Sequence, residues 1–191
     1  MEYFAGHKNI HLIGIGGCSM SGLAMILAQR GFCVQGSDVV SSPFTERLEQ
    51  LGMKVFIGQD AGNLDGVDLV IYSSAIKPEN AERVGAQQRG IPQMERAQAL
   101  GQISAGYATV LGVAGCHGKT TITSMLALIA EHGGVDATVH VGGYMDFLEG
   151  GTRTGAGEVF ITEACEYVES FLALHPSIAL IHNIDNDHLD Y

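Results

Sequence analysis

Two glycine-rich turns carry the residue types that bind phosphate groups, and the second of them also carries a lysine. It reads GVAGCHGKTT, from Gly112 to Thr121. Its core, Gly115-x-x-Gly118-Lys119-Thr120-Thr121, offers backbone amides for anionic oxygens, a cation for terminal phosphates and a hydroxyl suited to magnesium. A Walker A loop would place another glycine at position 113, where Val113 stands. The pattern predicts a phosphate-binding loop of a shortened type.

Lys119 strengthens this prediction because of its place in the chain. It follows a glycine at the start of a mostly apolar helix-like segment. A cation at a helix N-terminus opposes the helix dipole unless an anion lies nearby. A turn with only a structural role would not need it, so we expect a bound anion.

The first turn reads GIGGCSMSG, from Gly14 to Gly22, and lies between an apolar run and a helix-like segment. A dinucleotide fingerprint would occupy this position, and Asp38 lies 22 residues after Gly16, near the acidic position of a ribose-binding site. The third fingerprint glycine is replaced by Ser19. The turn therefore indicates a phosphate or diphosphate site without indicating which nucleotide. A nicotinamide-dependent dehydrogenase and a tight turn without ligand remain alternatives.

Acidic and histidine residues follow two of the later apolar runs. Glu163 ends one run in ITEACEY, and NIDNDHLDY places Asn183, Asp187 and His188 at the end of another. A carboxylate at the carboxyl edge of a parallel sheet, beside a phosphate loop, is a suitable magnesium ligand. Glu163 could equally cap a helix, and an imidazole is an unusual partner for magnesium.

The elements that must position these residues alternate between apolar, strand-like runs and helix-like segments. In the first series, strands are predicted at 10–15, 32–38, 53–58 and 68–76, and helices at 20–31, 43–52, 79–90 and 94–106. In the second series, strands are predicted at 108–115, 137–142, 158–164 and 178–184, a helix at 120–134 and a mobile surface loop at 143–157. The alternation predicts the α/β class with parallel sheets.

This order divides into two predicted domains. Residues 1–104 form a Rossmann-like, parallel-sheet N-terminal domain, and residues 105–191 form the first part of a P-loop ATPase α/β domain, with the boundary near Ile103–Gly106. The sequence NIDNDHLDY follows a buried-strand pattern without a helix to cover it, although a parallel sheet needs cover on both faces. We therefore expect the second domain to be incomplete, and either partly disordered or associated with a second copy through its exposed sheet.

Composition excludes several classes of protein. The 191 residues are 46% hydrophobic, and the formal net charge of −11 argues against a nucleic-acid partner but not against a small anionic ligand. No apolar run reaches the roughly 18 residues of a membrane helix, and the N-terminus lacks the features of a signal peptide. The four cysteines are scattered without metal-ligand spacing. We expect a cytoplasmic protein with reduced thiols and no membrane partner.

Taken in order, these motifs resemble the N-terminal part of the Mur ligases, in particular the members that join L-alanine to UDP-N-acetylmuramate. The resemblance rests on HLIGIGGCSMSGLA, GSD, YSSAI, GCHGKTT, TEACEY and NIDNDHLDY, and it extends from His11 to Tyr191. The phosphate loop of this family lacks the extra Walker glycine, which agrees with the spacing found here. Cys116 stands where the family usually has threonine, and Cys165 where it usually has an acidic residue, while Glu163 and Glu166 remain.

The resemblance implies two ligand sites. The first domain would hold the UDP-sugar, and the second would bind ATP with Mg²⁺, or alternatively Mn²⁺. The implied diphosphate contacts are Gly16, Gly17, Cys18, Ser19 and Met20, with Asp38, Ser73, Ser74 and Ala75 nearby. The implied ATP contacts are Gly115, Cys116, His117, Gly118, Lys119, Thr120 and Thr121. One metal would bind Thr120 and Glu163 and a second would bind Glu163 and His188, so that Lys119, Glu163 and His188 are the implied catalytic residues.

The resemblance also implies a reaction. The γ-phosphoryl group of ATP would pass to the muramoyl carboxylate, and the amino group of L-alanine would attack the acyl phosphate, a step in peptidoglycan precursor synthesis. Family members continue past NIDNDHLDY into a further domain, so the chain is expected to be the N-terminal part of such a ligase and inactive alone. The alternatives are a non-catalytic UDP-sugar-binding module and an NAD-dependent dehydrogenase.

Overall fold

The protein has two compact α/β units, and the chain passes from one to the other between Ala99 and Leu100, inside helix α4 (Arg96–Ser104). The structure, a computed structural model, describes residues 4–148 and 150–185. In those residues each unit is built on one five-stranded sheet. The predicted α/β class with parallel sheets is confirmed. The predicted boundary, near Ile103–Gly106, spans the C-terminal end of α4, a few residues after this division.

The first unit has a fully parallel sheet of order β3-β2-β1-β4-β5. Its strands are β1 (Asn9–Ile13), β2 (Cys33–Asp38), β3 (Lys54–Ile57), β4 (Leu69–Tyr72) and β5 (Gln93–Glu95). The chain moves outward from β1 to β3 and then crosses to β4 on the other side of β1. The strand order therefore reverses between β1 and β4, and open α/β sheets bind ligands outside the carboxyl ends of the strands at such a point.

The helices of this unit begin where local capping chemistry favours them. They are α1 (Cys18–Gln29), α2 (Pro43–Gln50) and α3 (Ala81–Gln88). Ser42 caps α2 in a capping box followed by Pro43 at the first helical position, and the side chain of Asn80 accepts hydrogen bonds from the first turn of α3. Ile13, Leu64, Val70 and Ala86 form one buried cluster between sheet and helix.

The sequence-based prediction missed strand β5. Residues 94–106 were expected to be helical, but Met94 and Glu95 pair with β4 and the helix begins only at Arg96. Met94 is buried. An edge strand of three residues is too short to show an alternating pattern, so the helical composition that follows it dominated the prediction.

The second unit has a sheet of order β10-β6-β9-β7-β8. Its elements are β6 (Thr109–Ala114), α5 (Lys119–His132), β7 (Thr138–Met145), β8 (Gly150–Arg153), β9 (Val159–Glu163) and β10 (Ile178–Ile181). All described pairings are parallel except that of β8 with β7. Helix α5 covers one face, where Ala127 packs in a cluster with Val139, Val141 and Ile161.

The prediction of a mobile surface loop at residues 143–157 is wrong. Strand β7 continues to Met145, and the chain returns antiparallel as β8. Arg153 fixes the return, because its guanidinium donates to Ala137 O at 2.6 Å and to Asp136 Oδ1 at 2.7 Å. Gly155 makes the close approach possible, since a Cβ there would lie 2.4 Å from Asp136 O. Glycines that read as loop residues therefore serve tight packing.

The other face of the second sheet carries an apolar cavity of about 640 Å³. Gly112, Ala114 and Ala179 line it from the strands, and Phe171 and Leu172 line it from the 3₁₀ helix Tyr167–Ala173. Edge strand β10 is exposed along its whole length. In the part of the chain that the structure describes, no helix is both long and apolar enough to cross a membrane.

Candidate functional site

The first predicted site lies where three strands of the first sheet end. Ile13 of β1 is in register with Ser37 of β2 and with Tyr72 of β4, so the residues that follow these strands meet at one edge. The turn after β4 is closed by Ile76 N donating to Ser73 O at 2.9 Å. A Cβ on Gly14 would lie 3.6 Å from Ile76 Cδ1, which places this turn beside the glycine turn. The structure therefore brings residues 14–20, 38 and 73–75 to one location.

Asp38 clamps the glycine turn. Its Oδ2 accepts a hydrogen bond from Gly16 N at 2.8 Å, while Oδ1 accepts one from Val39 N at 2.7 Å. A Cβ on Gly16 would lie 2.8 Å from Asp38 Oδ2 and 2.9 Å from Thr45 Cγ2, so only glycine fits. Asp38 thus has a defined structural role, and its part in substrate binding stays a prediction.

Helix α1 directs its N-terminus at the same edge. Gly17 precedes the helix with extended backbone, and as a glycine it supplies no side-chain cap. Amides of this kind bind phosphate groups well. Arg96, which the sequence analysis did not single out, donates to Ser19 Oγ at 3.0 Å and adds a positive charge. The geometry suits a diphosphate, and the individual contacts of Gly16, Gly17, Cys18, Ser19, Met20, Ser73, Ser74 and Ala75 stay predictions.

The second predicted site is the loop between β6 and α5. Gly115 has φ of +147° and Gly118 has φ of +79°, a region that side-chain-bearing residues rarely adopt. Space is also limiting, because a Cβ on Gly118 would lie 3.3 Å from His182 Cδ2. The glycines are therefore required by the backbone, and the loop leads directly into the N-terminus of α5 at Lys119.

The segment after β10 holds this loop in place. Asn183 grips the backbone of His117, accepting from its N–H at 3.0 Å and donating to its carbonyl at 3.0 Å. The Cys116 thiol contacts the backbone N and O of Asp185, both at 3.1 Å. Asn183 was predicted to lie at a strand end, but its contacts with the loop were not predicted. Cys116, at a position where the family usually has threonine, therefore makes loop-anchoring contacts through its sulfur.

Lys119 is held by three acceptors. Its Nζ lies 2.6 Å from Gly115 O, 3.2 Å from Cys116 O and 2.8 Å from Glu166 Oε1. The side chain is only 14% exposed. The pairing with Glu166 was not predicted, although this residue belongs to the acidic motif TEACEY.

Glu163 and Thr120 border the same pair of glycines in β7. Glu163 Oε2 accepts from Gly142 N at 3.3 Å, and a Cβ on Gly143 would lie 3.7 Å from Thr120 Oγ1. Glu163 Oε1 is buried and has no hydrogen-bond partner among residues 4–148 and 150–185. A buried carboxylate oxygen without a partner fits a divalent cation, which prefers oxygen ligands.

The other predicted metal ligand, His188, cannot be placed beside Thr120 and Glu163. His188 lies outside the described residues. Within the described ranges, no group of three or more His, Cys, Asp and Glu side chains could hold a metal ion. Thr120 and Glu163 would therefore need further oxygen ligands, such as the phosphates of a nucleotide.

Comparison with known proteins agrees with this geometry. The model of the Mur ligase family, catalytic domain, matches residues 9–108, just over half of the chain. The UDP-N-acetylmuramate–L-alanine ligase of Acetivibrio thermocellus is 50% identical over 184 residues, covering 96% of this chain and 39% of the relative. That of Clostridium kluyveri is 52% identical over 189 residues, covering 98% of this chain and 41% of the relative. The chain thus spans about two fifths of the length of these curated relatives.

Solved structures show the same relationship. The UDP-N-acetylmuramate–alanine ligase of Thermotoga maritima superposes with a TM-score of 0.89 at 34% identity, covering 96% of this chain and 43% of that one. The UDP-N-acetylmuramate:L-alanyl-gamma-D-glutamyl-meso-diaminopimelate ligase of Neisseria meningitides superposes with a TM-score of 0.86 at 32% identity. This match covers 96% of this chain and 62% of that one. The family predicted from the motifs is confirmed: the chain belongs to the Mur ligase family.

Proposed function

We propose that the chain supplies the UDP-sugar-binding and ATP-binding sites of a ligase that joins L-alanine to UDP-N-acetylmuramate in cytoplasmic peptidoglycan precursor synthesis. The observation that carries this proposal is the Lys119 loop beside the unpartnered, buried oxygen of Glu163. A lysine-bearing glycine loop next to a free carboxylate oxygen suits a nucleoside triphosphate with a divalent metal. An NAD-dependent dehydrogenase has no need of this second site.

In the second unit, the loop residues 115–121 would surround the phosphates of ATP. Lys119 would exchange one of its present acceptors for a terminal phosphate oxygen and neutralise the charge that develops during transfer. Thr120 and Glu163 would hold Mg²⁺ or Mn²⁺, which supplies charge neutralisation on the phosphate oxygens when bound. His188 is retained as a proposed ligand of a second ion, for which manganese suits an imidazole better than magnesium does.

In the first unit, the amides at the start of α1 would bind the diphosphate of UDP-N-acetylmuramate. The hydrogen bond from Gly16 N to Asp38 Oδ2, at 2.8 Å, fixes the turn, and Ser73–Ala75 would line the same edge. Residues 1–104 and 105–191 are the corresponding proposed domains. A non-catalytic UDP-sugar-binding module would use this unit alone and leave the Lys119 loop without a role.

The reaction would proceed in two balanced steps. A carboxylate oxygen of the muramoyl group attacks the γ-phosphorus of ATP, which forms an acyl phosphate and releases ADP. The amino group of L-alanine then attacks the acyl carbon, which forms the amide and releases inorganic phosphate and a proton. The residues proposed above contribute to the first step by positioning and charge neutralisation.

Calorimetric titration of the chain with UDP-N-acetylmuramate and with NAD⁺ tests the assignment of the first site. We expect saturable binding of the UDP-sugar and none of NAD⁺. Titration with UDP alone serves as the control for recognition of the nucleotide part. Saturable NAD⁺ binding without UDP-sugar binding would favour the dehydrogenase and remove the proposal.

We further propose that the isolated chain self-associates through the exposed edge of its second sheet. Ile178 and Ile181 of β10 are 55% and 64% exposed, and Ile184 beyond them is 88% exposed. An edge strand with exposed apolar side chains is a template for pairing with a second copy.

A further inference from the structure

The Lys119 ammonium uses its whole donor capacity inside the protein. An ammonium has three N–H groups. Three oxygens lie within 3.2 Å of Nζ, namely Gly115 O, Cys116 O and Glu166 Oε1. A phosphate oxygen therefore cannot bind Lys119 until one of these acceptors is released.

The two carbonyl acceptors are fixed by the rest of the loop. Gly115 and Cys116 belong to the loop backbone, which Asn183 grips at His117 and which the Cys116 thiol ties to Asp185. These contacts keep both carbonyls beside Lys119, so neither acceptor can move away from Nζ without rearrangement of the loop backbone.

Glu166 is the acceptor that can leave. It follows the end of β9 by three residues, and its side chain is 27% exposed although its Oε2 atom is buried. Displacement by a ligand would turn the carboxylate towards the exposed side, where water can solvate it. A carboxylate 2.8 Å from Lys119 Nζ would also lie beside any phosphate bound there, and the two like charges repel each other. Electrostatics and exposure both select Glu166 as the group that the ligand displaces.

We propose that Glu166 is a placeholder for the terminal phosphate: it neutralises and positions Lys119 in the nucleotide-free loop and is exchanged for a phosphate oxygen when ATP binds. The inference rests on the proposed ATP site. Removing an ordinary binding residue weakens ligand binding. Removing the Glu166 carboxylate should instead strengthen ATP binding, because it removes a competitor for Lys119. Glu166 therefore lowers the affinity of the loop for nucleotide.

The test compares Glu166→Gln with the parent chain by calorimetric titration with ATP and Mg²⁺. Glutamine keeps the shape and an acceptor oxygen but removes the charge, so we expect ATP to bind about tenfold more tightly, the order of one charge-assisted hydrogen bond. The matched control is Glu169→Gln, which removes the same charge from an exposed residue of the same segment and should leave the affinity unchanged. Damage to the fold would weaken binding, so tighter binding cannot arise from it.

A second measurement does not depend on ATP. The rate at which an N-hydroxysuccinimide ester acetylates Lys119, read by peptide mass spectrometry without nucleotide, should rise severalfold in Glu166→Gln and stay at the parent value in Glu169→Gln. Equal or weaker ATP binding by Glu166→Gln, or an unchanged acetylation rate, would overturn the inference. If the parent chain binds no ATP, the proposed function fails, and the acetylation rates still decide whether Glu166 restrains Lys119.

Discussion

At the scale of single residues, the proposed chemistry depends on side chains that either lack a hydrogen-bond partner or have a partner that a ligand could replace. Glu163 presents a buried oxygen without a partner in the described structure, and Lys119 pairs with the Glu166 carboxylate, which we propose a phosphate replaces. Asp38, in contrast, has both oxygens engaged with backbone amides, one with Gly16 of the glycine turn and one with Val39. Unsatisfied or exchangeable groups therefore characterise the proposed ATP site, whereas satisfied groups shape the proposed UDP-sugar site.

The Glu163→Gln variant tests the metal assignment. Neutralising a buried carboxylate that lacks a partner for one oxygen should leave the stability of the metal-free chain unchanged or slightly raised. The same change should weaken Mn²⁺ binding in the presence of ATP by about tenfold or more, because a charged ligand is lost. Thermal unfolding and Mn²⁺ titration by electron paramagnetic resonance measure the two effects. Clear destabilisation with unchanged Mn²⁺ affinity would assign Glu163 a structural role instead.

The Gly16→Ala variant tests the clamp at the first site. Its new methyl group would lie 2.8 Å from Asp38 Oδ2 and must displace the clamp or Thr45. We expect a loss of about 1–3 kcal/mol in the free energy of unfolding and weaker UDP-sugar binding. Gly17→Ala is the matched control for stability, because its nearest new contact is 3.5 Å away and its unfolding should be unchanged. Equal free energies of unfolding for the two variants would show that the close approach of Asp38 and Thr45 to Gly16 does not require glycine.

At the scale of elements, the antiparallel return of β8 onto β7 depends on Asp136 just before β7. Its carboxylate accepts from Ala156 N at 2.8 Å and from Arg153 Nη2 at 2.7 Å. These contacts, the backbone amide of Ala156 first and the Arg153 guanidinium second, hold the pKa of Asp136 below its ordinary value of 3.8. The hairpin is thus fastened at its open end by a charged group.

This lowered pKa gives a signed prediction for Asp136→Asn. A carboxyl group whose pKa is lower in the folded state contributes stability above its unfolded pKa, and the contribution disappears as the pH falls through the folded pKa. The variant should therefore unfold at a lower temperature than the parent at pH 7, by a modest amount because the side chain is half-exposed. The difference should shrink as the pH falls below the ordinary value of 3.8. A difference that stays constant from pH 7 to pH 3 would contradict the role of the charge.

The long apolar runs made the main strands and helices predictable, whereas short and glycine-rich elements were not. Strand β5 has three residues, and the hairpin strand β8 contains two glycines that signal a loop. Both form because of their partners in the sheet, Ile71 for Met94 and Val139 for Arg153. Tertiary pairing overrides local propensity in such segments.

The candidate site shows the same division. The glycine and lysine positions of the phosphate loop follow from local spacing, so the sequence predicts them. The pairing of Lys119 with Glu166 and the grip of Asn183 on His117 join residues 47 and 66 positions apart. Such contacts depend on which strands become neighbours in the sheet, and no local pattern states that order.

At the scale of the whole molecule, each unit places a glycine turn at the carboxyl ends of parallel strands, one followed by α1 and the other by α5. The exposed edge strand β10 belongs to the second unit. We therefore expect the chain to have one ligand site in each unit and to self-associate through β10.

The exposed edge predicts concentration-dependent dimers of the parent chain in light scattering. Ile178→Lys together with Ile184→Lys should yield monomers, because lysines on an edge oppose pairing and both positions are exposed. Val39→Lys, at an equally exposed position of the first unit, is the control and should not change the mass. A parent chain that stays monomeric at every concentration would contradict the proposed self-association.

The most direct test of the central claim is calorimetric titration of the parent chain and of Lys119→Ala with UDP-N-acetylmuramate and, separately, with ATP and Mg²⁺. We predict that the parent binds both ligands and that the variant binds the UDP-sugar unchanged. The variant should bind ATP more weakly, because it loses a charge-assisted contact worth about 1.5–3 kcal/mol. The release of Glu166 should offset part of this loss. Lys77→Ala, an exposed lysine of the first unit, should behave as the parent does. Unchanged ATP binding by Lys119→Ala, in a parent that binds ATP, would contradict the assignment of the loop.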